Sequence, residues 1–245
     1  MQIFFLLLIL FFNSLPAEYQ IRQQLGSGDK GVVYLAQDSM GFNYAIKIYR
    51  SPQELIDQGL PAEIVPYFFD ETGRSRMAQR EYELSQILTH PAFVKVYGTS
   101  FVEGNSILIM EYVDGKILSE VEPTIRAKAF ETAVEGLLFA LERGYVHHDL
   151  YDGNAMIDSQ GRLKFIDLDS FDKVDEEIED NTIEECLESY HYFLREFIPK
   201  EKVLKKYQKE IRDCLHENLC PDNLYLIADY LTHLKRISST SDEAR

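Results

Sequence analysis

Two stretches of the chain carry side chains able to do chemistry together. His147-His148-Asp149-Leu150-Tyr151-Asp152-Gly153-Asn154 is followed, after a hydrophobic run, by Phe165-Ile166-Asp167-Leu168-Asp169. Both read as loops flanking short strands, so they present carboxylates and an amide on exposed backbone. Such a set divides into two tasks. One carboxylate orients a hydroxyl or accepts its proton, and the remaining oxygens hold Mg²⁺, a hard cation that prefers oxygen ligands. Any single aspartate here is explained as well by an acidic surface loop; the argument for chemistry rests on joint order.

A second group precedes these loops. Leu25-Gly26-Ser27-Gly28-Asp29-Lys30-Gly31-Val32-Val33 lies between two strand-like runs. Glycine lets the backbone approach a phosphate without a Cβ in the way, and exposed amides can donate to it. On the next strand-like run, Ala45-Ile46-Lys47, alternation puts Ala45 and Lys47 on one face, pointing where that loop would hold a nucleotide. A lysine on a strand is ordinarily a solvated charge. Glu81 changes the balance: Met77, Glu81, Leu84 and Leu88 recur at the spacing of one helical stripe, so a carboxylate interrupts an apolar face and needs a partner. Glu83 lies off the stripe, which leaves Glu81 as the residue to pair with Lys47.

The elements that must position these groups fall into two parts. Strand-like runs at Tyr19–Gln24, Val32–Gln37, Tyr44–Tyr49, Val94–Phe101 and Ile107–Tyr112 predict an antiparallel meander, with a helix at about Arg74–Leu88 and an irregular insertion over about 51–73 that opens with a short helix capped by Ser51-Pro52. Past Val113-Asp114-Gly115 helical periodicity takes over: Thr124–Arg143 ended by Gly144, Thr182–Phe197, Lys202–His216 and Pro221–Arg236, with short strands near Met156 and Phe165. The expected fold class is α+β, a β-rich first lobe over 18–113 and a helical second lobe over 114–236, with a disordered tail at 237–245. Ile183, Cys186, Leu187, Tyr190, Leu194 and Phe197 form a stripe assigned to core.

Bulk composition sets limits. The chain has 245 residues, 45% of them hydrophobic and 12% aromatic, enough to bury a core, and a formal charge of −16 that disfavours general affinity for nucleic acid or an anionic membrane. Cys186, Cys214 and Cys220 fall at no metal-ligand spacing and read as core or free thiols, with one bridge open to them. The apolar run Ile3–Phe12 is about half of what a bilayer-spanning helix needs, so no membrane span is expected. With Asn13-Ser14-Leu15-Pro16-Ala17 after it, residues 1–17 read as an export signal cleaved after Ala17, although the segment before the run has no Lys or Arg; the alternatives are a mis-set start and an apolar extension packed on the domain. Without a leader the chain would be cytoplasmic.

From residue 19 to about 235 the chain resembles a protein kinase. Gly26, Gly28, Gly31 and Val33 match the family's glycine-rich loop, Tyr44-Ala45-Ile46-Lys47 its lysine strand, and His147 through Asn154 its catalytic loop. Arg80-Glu81 through Gly98 resembles the run from the regulatory helix into the fourth strand, and Met110-Glu111-Tyr112-Val113 the gatekeeper and hinge. The resemblance implies a bilobal fold and an ATP- and Mg²⁺-dependent transfer to a hydroxyl. Lys47 would hold the α- and β-phosphates, positioned by Glu81; backbone groups of Glu111 and Val113 would meet the adenine; Asp149 would orient the acceptor; Asn154 and Asp167 would bind the metal. Gly26, Gly28, Gly31, Val33, Ala45 and Met110 would line the nucleotide.

The pattern is broken in places. His148 replaces the arginine of H-R-D, so a phosphorylated activation loop would lose its usual partner. Tyr151 stands where serine/threonine kinases place a lysine, Asp169 replaces the glycine of D-F-G, and no A-P-E follows. The acidic run Asp172, Asp175, Glu176, Glu177, Glu179, Asp180, Glu184 and Glu185 reads either as an attraction for a basic substrate or as a solvated loop. Three functions follow: an atypical, compact protein kinase acting on Ser or Thr, which leads; a small-molecule kinase for an amino sugar or alcohol; and a pseudokinase that binds nucleotide without transfer. A monomer is expected.

Overall fold

The computed structural model describes residues 19–61, 65, 71–102 and 104–174, together with 189, 190, 192–194, 197, 228, 231, 232 and 235. The architecture is α+β, and the chain divides into two compact units. One comprises the described residues up to Ile87 with Val94–Val113, the other Leu88–Phe93 with the described residues from Asp114 onward.

The first unit is a five-stranded antiparallel sheet in the order β1-β2-β3-β5-β4, from β1 (Tyr19–Ser27), β2 (Gly31–Asp38), β3 (Asn43–Tyr49), β4 (Val96–Val102) and β5 (Asn105–Glu111). Period-2 patterning gives the sheet two different faces. Ala36, Ile46 and Ile107 are buried on one, with Ile21, Ile48, Val102 and Ile109 packed against them. The other presents Lys47 and its neighbours. α1 (Pro52–Asp57) starts at a complete capping box, in which Ser51 accepts from the Glu54 amide and the Glu54 carboxylate accepts from the Ser51 amide. α2 (Glu71–Ile87) packs on β4 and β5, and its inner stripe buries Ala78, Glu81, Leu84 and Ser85.

The second unit begins with β6 (Gly115–Ile117), which pairs with β8 (Ala155–Asp158) and through it with β9 (Leu163–Phe165); β7 (Tyr145–His147) pairs separately with β10 (Phe171–Lys173). α3 (Pro123–Leu141) opens on a proline at its first turn, where no amide partner is lost, and Gly144 at φ +76 ends the segment that follows. Its core is aromatic: Phe93 lies 5.5 Å from Phe165 and 5.4 Å from Phe171, and Phe193 lies 5.7 Å from Phe165. A Cβ on Gly136 would stand 2.6 Å from that of Ala92, so glycine there lets α3 close on the Pro91-Ala92 segment. No helix among the described residues is long and apolar enough to cross a membrane.

The helices expected at 202–216 and 221–236, the three cysteines, residues 1–17, the tail at 237–245 and most of the acidic run lie outside the described residues, apart from isolated positions. In the helix expected at Thr182–Phe197, residues 189, 190 and 192–194 are helical, with Tyr190, Phe193 and Leu194 buried.

In the second unit the fold disfavours the charged form of His90. Burial pushes the pKa of His90 below its ordinary value, against an opposing pull from Glu135, and its Nδ1 accepts the Ala92 amide at 3.2 Å. The unfolded chain takes up the proton first as pH falls, so this stability is present above the unfolded value of about 6.5 and is lost as pH drops through the lower folded value. Denaturation midpoints measured from pH 8 to pH 5 are expected to fall less steeply in His90→Asn, which keeps an acceptor for Ala92 and cannot be protonated, than in the parent.

Candidate active site

In the first unit, strand register collects the predicted residues on one face. Gly26 stands opposite Val33, Val33 opposite Lys47, and Lys47 opposite Leu108, while the adjacent row runs Leu35, Ala45, Met110. Directly opposed residues share a face, so Gly26, Val33, Lys47, Ala45 and Met110 line a single surface. Lys47 is buried there and forms an ion pair with the wholly buried Glu81, whose Oε1 also accepts the Tyr49 hydroxyl at 2.5 Å. The Lys47 ammonium lies 5.2 Å from the centre of the Tyr49 ring. The charge that interrupts the apolar stripe of α2 thus has the partner that the sequence pattern demanded.

The turn joining β1 and β2 is closed by the Gly28 amide donating to the Gly31 carbonyl at 3.0 Å, and Arg50 ties it to β3, donating to Ser27 Oγ at 2.6 Å and to the Gly28 carbonyl at 3.2 Å. Its three glycines differ in kind. A Cβ on Gly31 would sit 2.6 Å from the Ile48 carbonyl oxygen, so packing of β2 on β3 requires glycine; a Cβ on Gly26 or Gly28 would meet nothing within 4 Å. Gly31→Ala is expected to lower stability by about 1–3 kcal/mol, as overpacking does. Gly28→Ala is expected to leave the melting temperature unchanged and to weaken nucleotide binding, which calorimetry with an ATP analogue would read. Met110 and Val113 are buried where β5 ends, and the Glu111 amide is already spent on the Lys95 carbonyl at 2.8 Å.

In the second unit, the loop after β7 is fastened from several sides. His147 is fully buried; its amide donates to the Tyr190 hydroxyl at 3.0 Å, its ring stacks edge-on to Phe171 at 4.6 Å, and its Nδ1 accepts the Asp149 amide at 3.2 Å. Buried Leu150 anchors the loop beside Asp149, whose side chain is exposed. Asn154 Nδ2 donates to the Asp149 carbonyl at 2.8 Å, and the Asn154 carbonyl accepts the Ile166 amide at 3.0 Å. These bonds hold Asp149, Asn154 and Asp167 on adjoining backbone, with the Asp149 residue exposed and Asn154 buried. The Asn154 amide nitrogen is committed to the Asp149 carbonyl, so its Oδ1 is the oxygen that could serve a cation, a hard donor of the same kind as the Asp167 carboxylate oxygens.

The sequence profile of the protein kinase domain matches residues 19–213. The chain belongs to the protein kinase family. Among its relatives are an Aurora/IPL1-related protein kinase 2 from Caenorhabditis elegans, 31% identical over 62% of this chain and 47% of that protein, and a probable serine/threonine-protein kinase from Streptomyces coelicolor, 32% identical over 63% of this chain and 22% of that one. The serine/threonine-protein kinase PrkC of Bacillus subtilis is 28% identical over 63% of this chain and 23% of its own length. The matched part therefore spans less than half the length of these curated relatives.

Four residues that brace these candidate groups escaped sequence reasoning. Tyr49 follows Ala45 and Lys47 on the same strand face, and that alternation was available as a signal. Arg50, next along, had no periodic signature. Tyr190 belongs to the stripe assigned to core, yet its hydroxyl holds the catalytic loop. Asp172 was grouped with an acidic loop; it lies on β10, where its Oδ2 is 2.8 Å from His148 Nδ1. His148 therefore has a carboxylate partner within the chain.

Proposed function

We propose that this kinase domain transfers the γ-phosphate of ATP, with Mg²⁺, to Ser or Thr hydroxyls of a protein substrate. The observation that carries the reading is the single sheet face bearing Gly26, Val33, Ala45, Lys47 and Met110, with Lys47 held in place by Glu81. Gly26 and Gly28 add support, since nothing in the packing explains their lack of a side chain. The names of the relatives above support a serine/threonine acceptor.

Lys47 offers a fixed positive charge to the α- and β-phosphates, and its position is set before nucleotide arrives because Glu81 has no solvent to turn to. The apolar side chains of Val33, Ala45 and Met110 suit the faces of an adenine ring. Asn154 Oδ1 and the Asp167 carboxylate would hold Mg²⁺, which would supply neutralising charge to the phosphates. Asp149 accepts a hydrogen bond from the acceptor hydroxyl and aligns its oxygen for in-line attack. These residues position and neutralise, and no covalent intermediate on the protein is needed.

The experiment is incubation of the purified full chain with γ-labelled ATP and Mg²⁺, offering myelin basic protein in one arm and an aminoglycoside in the other. Label on serine or threonine of the protein supports the reading. Transfer to the aminoglycoside alone moves the function to a small-molecule kinase, and nucleotide binding without any transfer makes the chain a pseudokinase.

A further inference from the structure

We propose that Asp172 is a positioning residue for phosphotransfer: through His148 it fixes the loop that carries Asp149 relative to the strand that follows Asp167. The inference rests on the phosphotransfer reading above. Both the main chain and the side chain of His148 are fastened to one short segment. The His148 amide donates to the Ser170 carbonyl at 3.0 Å, and its Nδ1 stands 2.8 Å from Asp172 Oδ2. Strand register supports the same placement, with Phe171 opposite His147 and Asp172 opposite Val146. His148 immediately precedes Asp149, and Asp172 follows Asp167 by a few residues, so the pair links the two loops whose carboxylates have different tasks in the reaction.

Folding does not require this pair. The side chains of His148 and Asp172 are 41% and 46% exposed, so water can satisfy either one. The aromatic stack of His147 on Phe171 and the β7–β10 ladder already hold the backbone together. What the exposed pair adds is direction. It fixes the His148 side chain, and with it the backbone torsions beside Asp149, where a displacement on the order of 1 Å is costly to a reaction that depends on alignment. The partner is an encoded carboxylate, present whenever the chain is folded.

The test is steady-state kinetics on the full chain with ATP and myelin basic protein, together with melting temperatures, for Asp172→Asn, His148→Ala, His148→Arg and the double variant His148→Ala/Asp172→Asn. Asp172→Asn is expected to lower kcat about three- to tenfold, with the KM for ATP and the melting temperature held. The double variant is expected to be no slower than either single one, because both remove the same contact. His148→Arg places an N–H donor opposite Asp172 and is expected to stay about threefold or more above His148→Ala. Wild-type kcat in Asp172→Asn, a loss found only in KM or in melting temperature, or additive losses in the double variant would each overturn the proposal. Asp149→Asn, assayed alongside, separates the two levels: full transfer in that variant removes the phosphotransfer reading itself, whereas a dead Asp149→Asn beside a fully active Asp172→Asn removes only the role of Asp172.

Discussion

Asp149→Asn is expected to bind ATP like the parent and to transfer phosphate about 100- to 10,000-fold more slowly, the range typical for loss of a positioned acid–base group. The substitution is close to isosteric, and the loop around it does not depend on the carboxylate. The Asp149 amide donates to His147, its carbonyl accepts from Asn154, and Leu150 is buried beside it, so backbone and packing hold the loop while the side chain projects into solvent. The loss should therefore appear in kcat, with little change in melting temperature or in affinity for a nucleotide analogue. Single-turnover transfer from γ-labelled ATP and calorimetric binding on the same preparation provide the check. Normal transfer in this variant would remove Asp149 from the reaction.

The second large effect concerns the buried pair. Glu81→Ala leaves the Lys47 ammonium and the Tyr49 hydroxyl in a site closed to water, where Glu81 had received both. Breaking a buried pair from one side costs about 3–5 kcal/mol, here a fall in melting temperature on the order of 10 °C. Removing these three polar groups together should behave differently. Lys47→Met/Tyr49→Phe/Glu81→Leu is expected to recover most of that stability, since apolar groups of similar size replace a charge pair at little cost, while transfer stays absent because no cation remains for the phosphates. Thermal melts and transfer assays on the single and triple variants separate the two contributions. A triple variant that regains activity would show that Lys47 does not serve the phosphates.

Much of this was legible in the sequence because it was periodic. Alternation placed Ala45 and Lys47 on one strand face, and a charged residue on an apolar stripe at the spacing Met77, Glu81, Leu84, Leu88 announced a buried carboxylate; α2 buries Glu81 and Leu84, with Met77 partly exposed. The helix ended by Gly144 was readable for the same reason, whereas the helix after Ser51 was readable from its cap and the loop His147–Asn154 from the joint order of its carboxylates and amide. What escaped was structure too short to show a period. β6, β7 and β10 have three residues each, fewer than alternation needs. Asp172 was hidden by its neighbours, since the acidic residues that follow made it read as one more solvated charge, and only its pairing opposite Val146 shows that it belongs to a strand. The glycines show a further limit: Gly26, Gly28 and Gly31 look alike in sequence, and only the Ile48 carbonyl distinguishes the one that packing requires.

The hydroxyl of Tyr190 has a consequence for how the chain is made. It receives the His147 amide from 43 residues further along, so a growing polypeptide exposes its catalytic loop well before the side chain that holds it has been synthesised. At about 5–20 residues per second, that interval lasts roughly 2–9 s. Until then the buried histidine beside Asp149 lacks its amide's acceptor, and only the Phe171 stack and the β7–β10 ladder are available to hold the loop.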